Sequence, residues 1–150
     1  MKRIATLFFI TWSSLVCSEP PTRISVGEAS KLGFYIKAID EWPSCTYLTI
    51  RVPDRHPIIP KLDKAYVEAL VFKDGEAIFS SPLRVSKELI GETIVNEAFV
   101  CLPKSKEIFI DVNYEVDWDK FCEGKDSCEV SSTCHLNWRI QGVGELIKGS

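Results

Sequence analysis

The sequence predicts an all-β fold, an antiparallel β-sandwich of about seven strands that is immunoglobulin-like or C2-like in general shape. Three observations carry this prediction. Short apolar segments alternate with polar residues at a period of two, turn-forming residues recur at short spacing, and no long amphipathic helix interrupts them. A small barrel is the alternative architecture that the same pattern allows.

The strongest local signal is a hairpin centred on Asp74 and Gly75, which separate two apolar runs. A two-residue type I′ turn needs positive φ at both central residues, and this dipeptide tolerates it well. The predicted pairs are Lys73–Glu76, Phe72–Ala77, Val71–Ile78 and Leu70–Phe79. Both faces of this hairpin would be largely apolar, so we expect it inside a sheet and not at a solvated edge.

Residues 1–18 are predicted to be a secretory signal peptide, because a basic start, a short apolar run and a small-residue close follow one another there. The apolar run is too short to anchor the chain in a bilayer. Cleavage before Glu19 would leave a single β-sandwich domain at residues 19–150, in the periplasm or outside the cell. The alternative is a lipoprotein in which Cys17 carries the lipid.

The charge of the chain limits the classes of partner. Removal of residues 1–18 would leave 16 basic and 21 acidic residues, so the net charge would fall from −3 to −5. An acidic domain argues against nucleic acid or an anionic membrane surface and is compatible with a protein partner. After the signal segment, no stretch of sequence is long and apolar enough to cross a membrane.

Before the hairpin, residues 32–39 and residues 46–52 alternate as strands. In the second of these strands, Leu48, Ile50 and Val52 should point inward, and Tyr47, Thr49 and Arg51 should point outward. Pro53 removes a hydrogen-bond donor and ends the strand, and the proline-rich residues 53–60 should form an extended loop.

After the hairpin, Pro82 should end the second strand. Residues 86–90 are predicted to form one helical turn, capped by Ser86 and ended by Gly91, that crosses between sheets. Residues 93–102 should then form a further strand.

The clearest strand pattern covers residues 107–116. The buried row is predicted to be Ile108, Ile110, Val112, Tyr114 and Val116. A last strand is expected at residues 135–143, after a polar, disulfide-stapled loop. Gly142 and Gly144 flank Val143 and indicate a bulge or a close approach of two backbones.

Cysteine usage indicates an oxidising compartment. The five cysteines that would remain after cleavage are Cys45, Cys101, Cys122, Cys128 and Cys134. An odd number leaves one thiol unpaired or joined to a second chain, which would give a dimer. Cys45 begins one predicted strand and Cys101 ends another, so we expect these two to pair, with one further bridge inside residues 122–134.

No catalytic residue, metal site or cofactor is predicted. The evenly spaced cysteines before His135 lack the C-x-x-C knuckle of a zinc site, and the alternating acids of residues 111–119 lack the glycine and glutamate of an EF-hand. His56 and His135 are the only histidines; neither lies in a hydrolase motif, and surface positions are expected for both.

Four residues are candidate interface residues, because exposed aromatic and arginine side chains often anchor protein contacts. They are Trp42, Tyr47, Arg51 and Trp118. The sequence therefore predicts an exported, non-catalytic protein-binding domain, for example an inhibitor or immunity-type protein that blocks a secreted or envelope-acting enzyme. The alternatives are an envelope assembly accessory, lipid-anchored through Cys17, and, with less support, a small hydrolase or carbohydrate-binding module.

Overall fold

The computed structural model describes residues 20–116 and 136–147, which form two β-sheets with one hydrophobic core between them. The predictions for the signal peptide, Cys17, Trp118, Cys122, Cys128, Cys134 and His135 lie outside the described residues. The elements are β1 (Thr22–Ser25), α1 (Val26–Lys31), β2 (Tyr35–Glu41), β3 (Cys45–Pro53), β4 (Lys64–Lys73), β5 (Glu76–Leu83), β6 (Ser86–Ile90), β7 (Thr93–Pro103), β8 (Glu107–Glu115), β9 (Leu136–Gln141) and a 3₁₀ helix (Val143–Leu146). No helix in this part of the chain is long and apolar enough to span a membrane.

The two-sheet, sandwich-like β architecture that the sequence predicts is confirmed. One sheet has five strands in the order β1-β9-β8-β4-β5, and the other has four in the order β2-β3-β7-β6. Nine strands lie within the described residues, more than the seven or so expected, because β1 and β6 were not predicted. The sheets are not wholly antiparallel, since β1 runs parallel to β9.

The core consists of alternate residues on the central strands of both sheets. Ile108, Ile110, Val112 and Tyr114 of β8 are buried, as predicted. Leu48, Ile50 and Val52 of β3 face the same core from the opposite sheet, also as predicted. Full burial of one such aliphatic side chain contributes roughly 1.5–3 kcal/mol, so these two rows supply much of the energy that holds the sheets together.

The hairpin turn is confirmed, but its register changes after two pairs. Asp74 and Gly75 both have positive φ, at 53° and 79°, and the pairs Lys73–Glu76 and Phe72–Ala77 form as predicted. A bulge then inserts one extra residue on β5. Val71 consequently pairs with Phe79 and Leu70 with Ser80, and Val71 packs in the core.

The prediction that the hairpin lies inside a sheet is wrong for its second strand. β4 is interior, whereas β5 is an edge strand of the five-stranded sheet. Pro82 therefore lies within β5 and does not end it, because the free side of an edge strand needs no amide donor.

Two local predictions of helix and coil are also wrong. Residues 86–90 form β6, an exposed edge strand paired with β7, and Gly91 (φ 63°) turns the chain into β7. The six-residue helix α1 was missed, although Ser25 and Glu28 carry the capping-box pattern in the sequence. Their reciprocal hydrogen bonds lower the pKa of Glu28.

The chain end after β9 confirms the predicted close backbone approach. Gly142 adopts a φ of 82°, and the following 3₁₀ helix brings Gly144 against the backbone that joins β7 to β8. A Cβ at Gly144 would lie 2.6 Å from the carbonyl oxygen of Ser105 and closer still to that of Lys106. Only glycine fits there without a shift of backbone.

The predicted bridge between Cys45 and Cys101 is present, with the two Cα atoms 5.5 Å apart. It joins neighbouring strands β3 and β7 near the end of their ladder, where Cys45 lies opposite Pro103 and Cys101 opposite Tyr47. The bridge closes a sequence separation of 56 residues, so it removes many conformations from the unfolded chain.

We expect the double variant Cys45→Ala/Cys101→Ala to lose about 2–4 kcal/mol of unfolding free energy, because the loop entropy of the unfolded chain is restored. Urea unfolding followed by circular dichroism measures this loss. Ser44→Ala, next to the bridge and exposed, is the matched control and should change little. An unchanged midpoint in the double variant would show that the β3–β7 ladder holds these strands without the bridge.

We expect Gly144→Ala to destabilise the fold by about 1–3 kcal/mol, because the added methyl group overlaps the carbonyl oxygens of residues 105 and 106. The same substitution at Gly27 is the control: a Cβ there has only the Ser25 hydroxyl within reach, at 4.0 Å, and alanine favours helix. Thermal and urea unfolding compare the two. If both variants behaved alike, the close approach at Gly144 would be refuted.

Candidate functional site

The outer surface of the four-stranded sheet carries a group of aromatic side chains, here named the aromatic face. Its aromatic and cationic members are Tyr35, Trp42, Tyr47, Arg51 and Phe99. The strand register brings them together, because Tyr35 lies opposite Arg51, and Phe99 lies opposite Thr49, two residues from Tyr47 and from Arg51. Three elements of the sheet thus contribute to one surface.

Exposure is high for three members of the aromatic face. Phe99 is 61% exposed, Trp42 52% and Tyr35 41%, although large aromatic side chains are generally covered in a folded domain. Thr49, predicted to point outward, lies between Lys37 and Phe99 in the register and is buried by its surroundings. Contiguous exposed apolar surface of this kind is a feature of interaction sites.

The charge of Arg51 is neutralised within the aromatic face, whereas Lys37, opposite Thr49 on the same surface, forms no ion pair with another described residue. The Arg51 Nε donates a 2.5 Å hydrogen bond to the Glu97 Oε1, and the Thr49 hydroxyl donates to the same oxygen at 3.4 Å. The Arg51 guanidinium also lies 5.1 Å from the centre of the Tyr35 ring. The arginine is therefore held in place as a flat, partly exposed surface and not as a free cation.

Trp42 is also held by specific contacts. Its indole Nε1 donates to the Asp40 Oδ2 at 2.9 Å, and its ring packs edge-on to Tyr47 with the ring centres 5.5 Å apart. Its backbone amide donates to the carbonyl oxygen of Cys45. These contacts satisfy the polar atom of the indole and leave its apolar surface available to solvent.

Three of the four predicted interface residues, Trp42, Tyr47 and Arg51, thus lie together on one surface, while Trp118 is outside the described residues. Tyr35 and Phe99 were missed. The alternation along β7 does indicate that Phe99 faces away from Val100 and Leu102, which point inward. Both faces of that strand are apolar in sequence, however, so the alternation alone did not single out Phe99 as exposed.

His56, expected at the surface, is instead 1% exposed. Its ring packs against Trp138, with the ring centres 4.6 Å apart, and against Tyr114 at 5.3 Å. Its Nδ1 accepts two backbone hydrogen bonds, from the amide of Ile58 at 3.1 Å and from that of Ile59 at 2.9 Å. Nδ1 must therefore be unprotonated, and the proton of the neutral ring lies on Nε2, which has no partner among the described residues.

The buried imidazole holds the loop that follows β3 in place. The backbone amide of His56 also donates to the carbonyl oxygen of Leu62, so the loop from His56 to Leu62 is hydrogen-bonded at both ends. Burial lowers the pKa of His56. Burial is also the larger cause that raises the pKa of Tyr114, and the charge of Asp54 is the smaller one. Both groups are thus kept neutral at physiological pH.

A calcium site built on the alternating acids is not supported where those residues are described. Both carboxylate oxygens of Asp111 accept from Arg139, at 2.8 Å and 2.7 Å, and this pair raises the pKa of the guanidinium. Within residues 20–116 and 136–147, no three His, Cys, Asp or Glu side chains cluster as a metal site would require. The alternative metal site at Cys122, Cys128, Cys134 and His135 lies outside this part.

We expect acid to destabilise the protein in part through His56. Because burial holds the pKa of His56 below its usual 6.5 in the folded state, its stabilising effect is complete above about pH 6.5 and is lost as the pH falls further. Each unit by which the pKa in the folded state lies below the pKa in the unfolded state corresponds to about 1.4 kcal/mol of unfolding free energy lost on full protonation. His56→Asn keeps an acceptor for the same two amides but does not titrate, so it should lose less stability on acidification.

Urea unfolding at about pH 7.5 and about pH 5 gives the unfolding free energy of each protein at both values, and the loss between them is compared. His56→Phe is the companion variant, because it keeps a ring against Trp138 and leaves two buried amides without their acceptor, at a cost of about 1–3 kcal/mol. Equal losses on acidification in the wild-type protein and in His56→Asn would contradict a titrating role for His56.

No protein-family model, curated protein or solved structure matches the chain. Its function must therefore be inferred from the geometry of the aromatic face and of the buried histidine.

Proposed function

We propose that the protein is an exported, non-catalytic binding domain that docks a protein partner on its aromatic face. The observation that carries the proposal is the exposure of Phe99, Trp42 and Tyr35 on one side of a single sheet. Burial of these rings against a partner would remove apolar surface from water. Each Å² of apolar surface buried contributes about 25 cal/mol to the free energy of binding.

The chemistry of the aromatic face fits a protein partner. Aromatic residues and arginine are enriched at the centres of protein interfaces, whereas unpaired charge is depleted there. Arg51 is already paired with Glu97, so a partner need not neutralise it on binding. The side chains also stand on hydrogen-bonded strands, and β3 and β7 are joined by a disulfide, so little conformational entropy remains to be lost.

Export is supported by the Cys45–Cys101 bridge, which is typical of oxidising compartments, and by the signal-peptide pattern of residues 1–18. We infer a periplasmic or extracellular location on these two grounds. We also infer that the sandwich is immunoglobulin-like or C2-like in general shape, an arrangement in which proteins commonly bind through sheet faces and loops.

A concrete form of the proposal is an inhibitor or immunity-type protein that blocks a secreted or envelope-acting enzyme by covering its cleft. An envelope assembly accessory, lipid-anchored through Cys17, would use the same face and differs only in its partner. A hydrolase is less well supported because Nδ1 of His56 is occupied and the ring is buried. A carbohydrate platform is less well supported because the rings of Trp42 and Tyr47 are inclined at 65° and offer no common plane.

The test is capture of envelope or secreted proteins on the immobilised wild-type protein and on Phe99→Asp. We expect the variant to weaken the binding of a specifically captured protein about thirtyfold or more, since a central aromatic residue of an interface contributes about 2 kcal/mol or more. Binding of the recovered protein is then titrated against both forms, and any enzymatic activity of that protein is assayed with and without the domain.

Ile78→Asp is the matched control, because Ile78 is a comparably exposed apolar residue on the other sheet. It should leave binding unchanged. Loss of binding in both variants would indicate a general effect on folding or solubility, and equal retention in both would exclude the aromatic face as the docking surface. Inhibition of the captured enzyme would favour the inhibitor form over the assembly accessory.

A further inference from the structure

The second half of β7 has an unpaired side, although β7 lies between two other strands in the order of its sheet. β3 pairs with β7 as far as Pro103 without a shift of register. On the opposite side, β6 pairs with five of the eleven residues of β7, those numbered 93–97, so six residues, 98–103, extend beyond it. β5 contacts β7 but belongs to the other sheet. Among the described strands none pairs with residues 98–103 on this side, here named the open edge of β7.

The backbone groups of alternate residues point to the open edge of β7. A two-residue turn joins β6 to β7, so Ile90 and Thr93, which flank it, form a hydrogen-bonded pair. Because this direction alternates along a strand, the odd-numbered residues of β7 point toward β6 and the even-numbered ones toward β3. Phe99 and Cys101 therefore each direct an amide and a carbonyl group to the open edge. Pro103 is also odd-numbered, so its missing amide hydrogen does not interrupt the ladder with β3.

The open edge of β7 lacks the features that normally keep an edge strand from pairing. Such strands are protected by charged side chains, proline, bulges or short length. Residues 98–103 read A-F-V-C-L-P, with no charge and with proline only at the last position. The edge strands of the two described sheets do carry such features, namely Lys37 and a bulge on β2, Pro82 and a bulge on β5, Lys87 on β6, and a length of only four residues in β1.

The open edge of β7 is accessible and already has the geometry of a strand. Phe99 is 61% exposed and Cys101 is half-buried, whereas Ala98 and Leu102, whose backbone groups point to β3, are buried. The ladder with β3 and the Cys45–Cys101 bridge hold this backbone extended. An added strand would therefore cost little conformational entropy on the side of this chain.

We propose that an extended, uncharged segment of the protein partner pairs with the open edge of β7 and extends the four-stranded sheet in line with β6. Backbone hydrogen bonds from Phe99 and Cys101 hold the segment, and its alternate side chains provide specificity. An aromatic or β-branched residue beside Phe99 would join the aromatic face as a cross-strand pair. The paired segment is about six residues long, because β6 blocks it beyond Glu97. This inference rests on the proposed docking of a protein at the aromatic face and specifies how that protein is held.

A second copy of this chain does not fit the open edge through its own β7. The free side of its residues 98–103 is the side on which its own β6 lies. Antiparallel pairing centred on Val100 brings Glu97 of one copy opposite Pro103 of the other, and β6 begins opposite Glu97. The β6 strand of each copy would then overlap the β7–β8 turn of the other. The open edge therefore fits a segment that has no strand of its own on the facing side.

The test is amide hydrogen exchange, followed by NMR, of isotope-labelled protein purified from cells expressing the full chain. The probe strand is an end-capped peptide of alternating valine and threonine. In the free protein we expect the amides of Phe99 and Cys101 to exchange about tenfold or more faster than those of Val100 and Leu102, which point to β3. Saturation with the peptide should slow exchange at Phe99 and Cys101 about tenfold or more, since both amides then lie in a ladder.

Phe99→Pro and Phe99→Ala form a matched pair of variants that separates the backbone from the ring. Both lose the ring, but only Phe99→Pro loses the amide hydrogen at the open edge, and neither removes a donor to β3. We expect Phe99→Pro to raise the dissociation constant of the peptide about fivefold or more relative to Phe99→Ala, because a carbonyl of the added strand is left without its donor. Urea unfolding checks that both variants are folded, and exchange in the wild-type protein tests the open edge without any substitution.

Equal affinity of the two variants for the peptide would overturn the proposal, as would protection at β2 or β6 in place of Phe99 and Cys101. Protection of these two amides in the free protein would overturn it as well, and protection that grows with protein concentration would assign the open edge to a second copy. Loss of the captured protein in Phe99→Asp, with equal binding of it by Phe99→Pro and Phe99→Ala, would refute the added strand and leave the docking on the aromatic face intact. Unchanged capture by Phe99→Asp would instead refute the docking itself.

Discussion

The constraint on which the rest of the structure depends is the two-residue alternation of side chains along β3, β7 and β8. Once Leu48, Ile50 and Val52 are committed to the core, the residues between them can only lie on the outer surface of the sheet. A shift of register by one residue would reverse every side chain, and the loss of burial forbids it. The aromatic face is thus not placed by its own interactions; it is placed by the core on the other side of the same strands.

The core also fixes the end of β3, where the chain leaves the four-stranded sheet. The carbonyl oxygen of Pro53 accepts from the Tyr114 hydroxyl at 2.8 Å, across the sandwich, and from the Asn96 side chain at 3.4 Å, on the neighbouring strand. The His56 ring continues this arrangement by packing on Tyr114 and Trp138 while it accepts from its own loop. A buried polar cluster therefore anchors one end of β3, and the disulfide anchors the other.

The parts of the fold that were predictable are those decided by local pattern. β8 and β3 alternate without interruption, and Asp74-Gly75 can adopt the turn that it signals, so the sequence alone was sufficient for them. β6 was not predictable, because Ser86 and Gly91 form adequate helix boundaries and only the backbone of β7, which is paired along the whole segment, favours the strand. Burial of His56 depends on Tyr114 and Trp138, which are distant in sequence, and a proline-rich loop gives no local sign of it.

The two exposed features of the four-stranded sheet differ in the kind of free energy that covering them would release. On the aromatic face the indole nitrogen of Trp42 and the Nε of Arg51 are already hydrogen-bonded, so a partner that covers them gains apolar burial with little loss of hydration at these two atoms. The open edge of β7 exposes backbone groups that bind water well, so covering it is favourable only when a strand replaces those hydrogen bonds in register. The rings of Trp42 and Tyr47 are inclined at 65°, so the aromatic face is uneven and selects a partner of complementary shape.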